Sequence, residues 1–419
     1  MPERSATGQR FAVEIDAETL QQHIEELGAI GPHPDGGLYR TLYTPAWQEA
    51  MALVRRWLDE LGLETRTDAV GNLFGHLRGR DDERVVLSGS HIDTVKQGGK
   101  YDGALGIHAA IAAVGALQAA YGRPRKSLEV YVICEEEGSR FPCNFWGSRA
   151  LTGTIRPGET ETIADADGVT IGQAMRTCGL DPAAIPTARR EDVDAFVELH
   201  IEQGRILQDE GCDVGLVQTI TGMRQVRVEV AGRPDHAGTT PMDLRRDALA
   251  GAAEIIARVT EAAAAMGRPA VATAGTIAAR PGAVNIVPGS CTFTIDTRHS
   301  DGTKRRELVA TIEGIIRDVA ARRGLSVRVE QLMDHDPVPM AATVRATLET
   351  AIQAEGLRYR AVPSGAGHDS QIMAQHYPTG MLFVPSHEGR SHCPEEYTPL
   401  EQILPGVRVL ARALHALAY

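Results

Sequence analysis

Four short apolar runs in this chain lead onto side chains that bind metals, and that coincidence constrains the fold more than any other feature. Val85-Val86-Leu87 leads into residues 89–106, GSHIDTVKQGGKYDGALG, which sets His91, Asp93 and Asp102 among glycines. Residues 128–134 lead into Glu135, Glu136 and Glu137, and residues 196–199 end on His200. Residues 381–384 precede a Gly-rich loop, GRSHCPEE, that carries His392. Open α/β sheets bind ligands beyond the carboxyl ends of their strands, which is where all four groups would lie. One polar Gly-rich loop is usually a turn, and a run of three glutamates is usually a solvated face. Four strand-end placements of imidazole and carboxylate point instead to a metal centre.

Between these runs the pattern alternates. The spacing predicts a helix over 16–27 with Asp16 as its cap, and another over 45–61 closed by Gly62. Strands are expected at 71–77, 84–88 and 128–134, with an Ala-rich helix over 104–120. Such alternation predicts an α/β domain, its mainly parallel sheet flanked by helices on both faces. Near Asp213 the order changes. Strand 225–230, helix 244–266, strands 270–278 and 291–296, helix 304–321 and strand 326–331 follow one another. That is β-α-β-β-α-β, the ferredoxin-like pattern. The expectation is a catalytic metal-binding domain of residues 1–212 and 333–419, interrupted by a small lid domain of residues 213–332. A chain of 419 residues is long for one ordinary core, which fits two domains.

A formal charge of −12 argues against nucleic acid or an anionic membrane as partner. It leaves room for a small anionic substrate, because one local arginine can outweigh the global field. The six cysteines are scattered without a C-x-x-C pair, as expected of reduced thiols in a cytoplasm. The first sixteen residues lack an apolar signal core, and no run is expected to reach membrane-spanning length.

His91, Asp102, Glu137, His200 and His392 are more ligands than one tetrahedral zinc requires. They suit two divalent ions per subunit, about 3.5–4 Å apart and sharing a carboxylate. Asp102 is the natural bridge, because its Gly-rich loop lets the backbone come close. Asp93, two residues from His91, is placed to accept from that imidazole and fix its tautomer. The triple glutamate suggests a division of labour, with Glu137 as ligand and Glu136 as the base that acts on water. Imidazole and carboxylate ligands suit zinc, manganese, cobalt and nickel alike. Taken alone, His236 between Asp235 and Gly238 reads as loop surface. Asn285 near Pro288-Gly289 reads as turn chemistry, and Arg298 offers a planar fork for a carboxylate, with a structural ion pair to Asp296 as the alternative.

The motifs GSHIDTVKQGGKYDG, EEEGSRF, ELHIEQG, HAGTTPM, VNIVPG, SGAGHD and FVPSHEGRSHCPEE together resemble the hydantoinase/carbamoylase branch of the M20 metallopeptidase-like amidohydrolases. The likeness spans roughly residues 15–418. EEEGSRFP, FWGSRALTG, AFVELHIEQG and MDHDPVPM look more like enzymes acting on allantoate than like those acting on N-carbamoyl-L-amino acids. The resemblance implies His91, Asp102, Glu137, His200 and His392 as metal ligands and Glu136 as general base. It implies His236, Asn285 and Arg298, with Gln203 and Gly367, as residues holding a small ureido carboxylate. It also implies a homodimer joined through the small domains, with His236 and Asn285 reaching the partner's site. The wider family's peptidases and deacylases usually carry a carboxylate where His200 stands, which argues against a peptidase. An intact Glu136 argues against a catalytically silent metal-binding scaffold. N-carbamoyl-L-amino acid or β-ureidopropionate hydrolysis is the alternative with the same chemistry.

Overall fold

A computed structural model of the chain describes residues 11–419. Two compact units result. The first holds the described chain up to Gln218 together with Pro339–Val362 and His368–Tyr419; the second holds Thr219–Val338 and Pro363–Gly367. The boundaries expected at 213 and 332 fall inside or beside strands, which is why they move. Strand Val214–Ile220 pairs Gly215 and Leu216 with Thr379–Val384 of the main sheet, so its start belongs to the first unit. Strand Ser326–His335 goes on pairing with Gly222–Ala231 as far as His335, across a register shift between Gln331 and Met333, so it does not end at 332.

The main sheet has nine strands among the described residues. At its centre, Lys126–Ile133, Asp81–His91, Val193–Ile201 and Thr379–Val384 are neighbours, all parallel. Antiparallel pairs flank it: Glu64–Thr67 on Leu73–Leu77, Leu73–Leu77 on Lys126–Ile133, and Val214–Ile220 on Thr379–Val384. The sheet is therefore mixed, with four neighbouring parallel strands where the predicted ligands cluster. A parallel centre puts several carboxyl strand ends on one edge, which an antiparallel meander cannot do.

Helix Ala104–Tyr121 is 18 residues long and apolar enough to cross a bilayer by length and composition, contrary to the expectation that no run qualifies. It is a core helix. Leu105, Ile107, Ile111, Val114 and Leu117 are buried, and it packs between the sheet and the C-terminal helix Leu400–Ala418. Burial of each such side chain contributes about 1.5–3 kcal/mol relative to exposure.

The second unit keeps the predicted β-α-β-β-α-β order. Its five-stranded antiparallel sheet lines up Ile277–Arg280, Ser290–His299, Gly222–Ala231 and Ser326–His335, with Val271–Thr273 also on Ser290–His299. Two details differ from expectation. The helix begins at Ala248, not 244, because Asp247 caps it by accepting from the Ala250 N–H at 2.9 Å. The strand expected at 270–278 is broken at residues 274–276, where its register on Ser290–His299 slips by one residue.

Candidate metal centre

His91 is the last residue of strand Asp81–His91, and His200 is next to last in Val193–Ile201. Asp102 sits in the loop before helix Ala104–Tyr121, and His392 in the loop after the sheet strand Thr379–Val384. The structure brings all five predicted ligands together as two groups that share Asp102. His91, Asp102 and His200 form one; Asp102, Glu137 and His392 form the other, with ligand atoms in each group within 4.8 Å. Asp102 Oδ1 lies 3.2 Å from His200 Nε2 and 3.7 Å from His91 Nε2. Its Oδ2 lies 3.1 Å from His392 Nε2, which is 3.4 Å from Glu137 Oε1. Ligands about 2.0–2.2 Å from one zinc ion stand roughly 3.3–3.6 Å apart at tetrahedral angles, so this donor set fits a divalent ion in each group.

The imidazoles are oriented from behind. His200 Nδ1 donates to the Ile201 carbonyl at 2.9 Å, which leaves Nε2 for a ligand. His91 Nδ1 is 3.2 Å from Asp93 Oδ1, so its Nε2 faces Asp102. Asp93 does more than fix a tautomer. Its two oxygens accept the main-chain N–H of Glu136 at 2.9 Å and of Glu137 at 3.2 Å, which ties the glutamate loop to the His91 strand. Beneath them, buried Arg40 donates to the Ile92 carbonyl at 2.8 Å and to Leu27 and Ile30 carbonyls. Gly103 has φ +66 and packs on the His91 ring, where an added Cβ would lie 2.3 Å from Cε1. Only glycine fits there.

Electrostatics follow from burial and crowding. Burial, reinforced by the Glu137 charge, holds the Glu136 carboxyl well above the usual carboxylate range although His91 opposes the shift. Burial pushes the His91 imidazole down, but hydrogen bonds to Asp102 and Asp93 outweigh it and hold His91 well above its ordinary value. His392, half exposed, is raised to about 10 by its contacts with Asp102 and Glu137. Burial raises Asp102, yet the three imidazoles prevail and keep it ionised well below its ordinary value.

Of the predicted substrate-binding residues, Gln203 lies in the first unit, where its Nε2 donates to Asp102 Oδ2 at 2.8 Å. His236, Asn285, Arg298 and Gly367 belong to the second unit. There His236 and Asn285 come side by side: strand Asp235–His236 pairs with Ile286–Val287, and the Ala237 N–H donates to the Asn285 carbonyl at 3.0 Å. His236 Nδ1 accepts the Gly238 and Thr239 N–H groups at 3.0 and 3.2 Å. The neutral ring must then carry its proton on Nε2, an exposed donor. The Arg298–Asp296 pair is formed. Arg298 Nε and Nη2 donate to the two Asp296 oxygens at 2.8 and 3.1 Å, and Nη1 donates to the Gly365 carbonyl at 2.7 Å. That uses three of the five guanidinium N–H donors and leaves two for another acceptor.

Sequence reasoning passed over Glu396 and Ser391. Ser391 Oγ lies 2.8 Å from Asp102 Oδ2 and 2.7 Å from Glu396 Oε2, and buried Glu396 is pushed up to about 7 by burial and the Asp102 charge. Their place in the same short motif as His392 was the available signal. His368 and His387 carried no prediction as ligands. His368 packs edge-on against His200 with ring centroids 4.5 Å apart.

The profile of peptidase family M20/M25/M40 matches residues 87–416. An allantoate amidohydrolase of Escherichia coli (strain K12) is 42% identical over 403 residues, covering 96% of this chain and 98% of the relative. An N-carbamoyl-L-amino-acid amidohydrolase of Paenarthrobacter aurescens is 38% identical over 407 residues, covering 96% and 98%. The crystal structure of an amidase of the hydantoinase/carbamoylase family from Burkholderia multivorans superposes with a TM-score of 0.91 at 32% identity, covering 97% of this chain and 98% of that one.

Proposed function

The chain belongs to peptidase family M20/M25/M40, and from that premise we propose that it is a metal-dependent amidohydrolase cleaving the ureido C–N bond of a small carboxylate, with allantoate as substrate. The observation that carries this reading is the pair of ligand groups sharing Asp102, with buried Glu136 beside His91 and Glu137. In it His91, Asp102 and His200 would hold one divalent ion, and Asp102, Glu137 and His392 the other. Two divalent ions held there would supply Lewis acidity to the ureido carbonyl and acidify water.

The remaining chemistry belongs to the chain. Glu136, whose proton affinity burial has raised, accepts a proton from water and returns it to the leaving nitrogen. The carbamate released decays to ammonia and carbon dioxide. Asp93 keeps His91 and both glutamates in register. His236 Nε2–H and Asn285 are paired donors for charge developing on the ureido oxygen; losing one such donor typically costs roughly 100–1,000-fold in rate. Arg298 reads the substrate carboxylate with its two uncommitted donors. Gln203 holds the Asp102 carboxylate, and Gly367 completes the substrate pocket. The reading includes what the family resemblance implies, a homodimer joined through the small unit, with His236 and Asn285 serving the partner's site. Six free thiols suit a reducing cytoplasm.

Allantoate is preferred over N-carbamoyl-L-amino acids because an allantoate amidohydrolase relative is the more similar of the two, 42% against 38% identical. The test is ammonia release from allantoate beside a panel of N-carbamoyl-L-amino acids and β-ureidopropionate, with manganese added. Turnover of allantoate at a kcat/KM above the rest supports the reading. A carbamoyl amino acid turned over faster would transfer the assignment to that substrate.

A further inference from the structure

We propose that Glu396 is a positioning residue that clamps the loop of Asp102 to the loop of His392, and so sets the ion site that these two share with Glu137. The proposal rests on the dinuclear reading above and deepens it. Glu396 is 4% exposed, and its Oε1 accepts the main-chain N–H groups of Tyr101 at 2.9 Å and Asp102 at 3.0 Å. Its Oε2 lies 2.7 Å from Ser391 Oγ, which reaches Asp102 Oδ2 at 2.8 Å. One carboxyl thus fixes both the main chain and, through one hydroxyl, the side chain of the bridging residue. Asp102 precedes Glu396 by 294 residues.

The seat is built for this group. Gly99 lies against it, and a Cβ there would stand 2.2 Å from Glu396 Oε1. A carboxyl buried without a cationic partner is costly unless hydrogen bonds hold it, and here three do. A charge kept only for solubility would not be buried.

The clamp acts unequally on the two groups. His91 and His200 belong to strands whose ladder hydrogen bonds fix their directions. Asp102 lies in a loop just before Gly103, and His392 has φ +56 in another loop, so neither has a ladder to orient it. Loosening the clamp therefore disturbs the ion that depends on His392 more than the ion held by His91 and His200.

The experiment titrates the full-length, chelator-treated protein with cobalt(II), followed by visible absorption and by bound metal per chain. H392A and H200A assign the two binding steps. In E396A the His392-dependent step is expected to weaken about 10–100-fold, the usual range for residues that orient a ligand, while the other shifts by less than about threefold. S391A, which leaves the main-chain contacts intact, weakens the same step. E396Q, whose amide oxygen can still accept both N–H groups, keeps both steps within about threefold of the unmodified protein. Parallel weakening of both steps in E396A, or none, overturns the clamp. If E396A does not fold, a S391A titration identical to that of the unmodified protein overturns it. Fewer than two cobalt ions per unmodified chain would defeat the dinuclear reading itself, not the clamp.

Discussion

Replacing Glu136 with Gln separates catalysis from architecture, because the contacts that fix this residue come from its main chain. Its N–H donates to Asp93 Oδ1 at 2.9 Å, and its carbonyl accepts the Phe145 N–H at 3.0 Å and Asn144 Nδ2 at 3.2 Å. None of these uses the carboxylate, and Gln has the same shape. Metal content should therefore stay near two ions per chain. Turnover should fall by the worth of a general base, roughly 10²–10⁴-fold, or about 2.7–5.4 kcal/mol of barrier. A second readout tests the environment. Burial and the Glu137 charge raise the carboxyl above its ordinary 4.5, so in the metal-free protein ionising it costs stability as pH climbs past that value. Metal-free E136Q escapes that cost. Its Tm should exceed that of the unmodified protein at pH 7–8, and the gap should close toward pH 4. Ammonia release, metal analysis and thermal scans make the three measurements. Turnover within about tenfold of the unmodified enzyme would refute the base assignment. Loss of metal along with activity would make Glu136 a ligand.

Chelation should abolish ammonia release, and manganese, cobalt or zinc should restore it; full activity after rigorous chelation refutes a metal requirement. In the metal-free protein His392 titrates at about 10, so an incoming ion must displace its proton. Affinity for manganese should then rise about tenfold per pH unit for each proton released between pH 7 and 9, and a calorimetric affinity flat across that range would refute the coupling. Arg298→Lys should raise KM for carboxylate substrates about tenfold or more with little change in kcat, because an ammonium cannot use Asp296 and a substrate as a planar fork does. An unchanged KM would leave Arg298 as the structural partner of Asp296 alone.

The metal centre was legible because its ligands follow apolar runs, and an apolar run read as a parallel strand already says which edge its last residue joins. What the runs did not reveal was their sense. Leu73–Leu77 and Asp81–His91 have similar buried stretches, yet one meets Lys126–Ile133 antiparallel and the other parallel. A strand buried on both faces carries no alternation to tell them apart. The domain edges slipped for a related reason, since Val214–Ile220 runs unbroken through the boundary. Glu396 was illegible because its meaning lies far away in the chain: in PEE it looks like a solvated charge until Gly99 and the Tyr101 and Asp102 N–H groups close around it.

Backbone strain marks the same centre independently of any family likeness. Among the described residues, six other than glycine have positive φ, and Gln203 and His392 are two of them, both at +56. Both reach the Asp102 carboxylate, Gln203 by a hydrogen bond and His392 by its imidazole. Such conformations cost of order 1–3 kcal/mol each and persist only where surrounding contacts over-determine them. Ordinary loops would relax by placing Asn or Gly at these positions. Neither residue has relaxed, and both aim at one carboxylate that the imidazoles of His91 and His200 already crowd. Taken as packing alone, that convergence leaves the backbone strain at Gln203 and His392 without a purpose. Taken as preparation for cations, it is what a site needs whose ligands must be in place before the ions arrive.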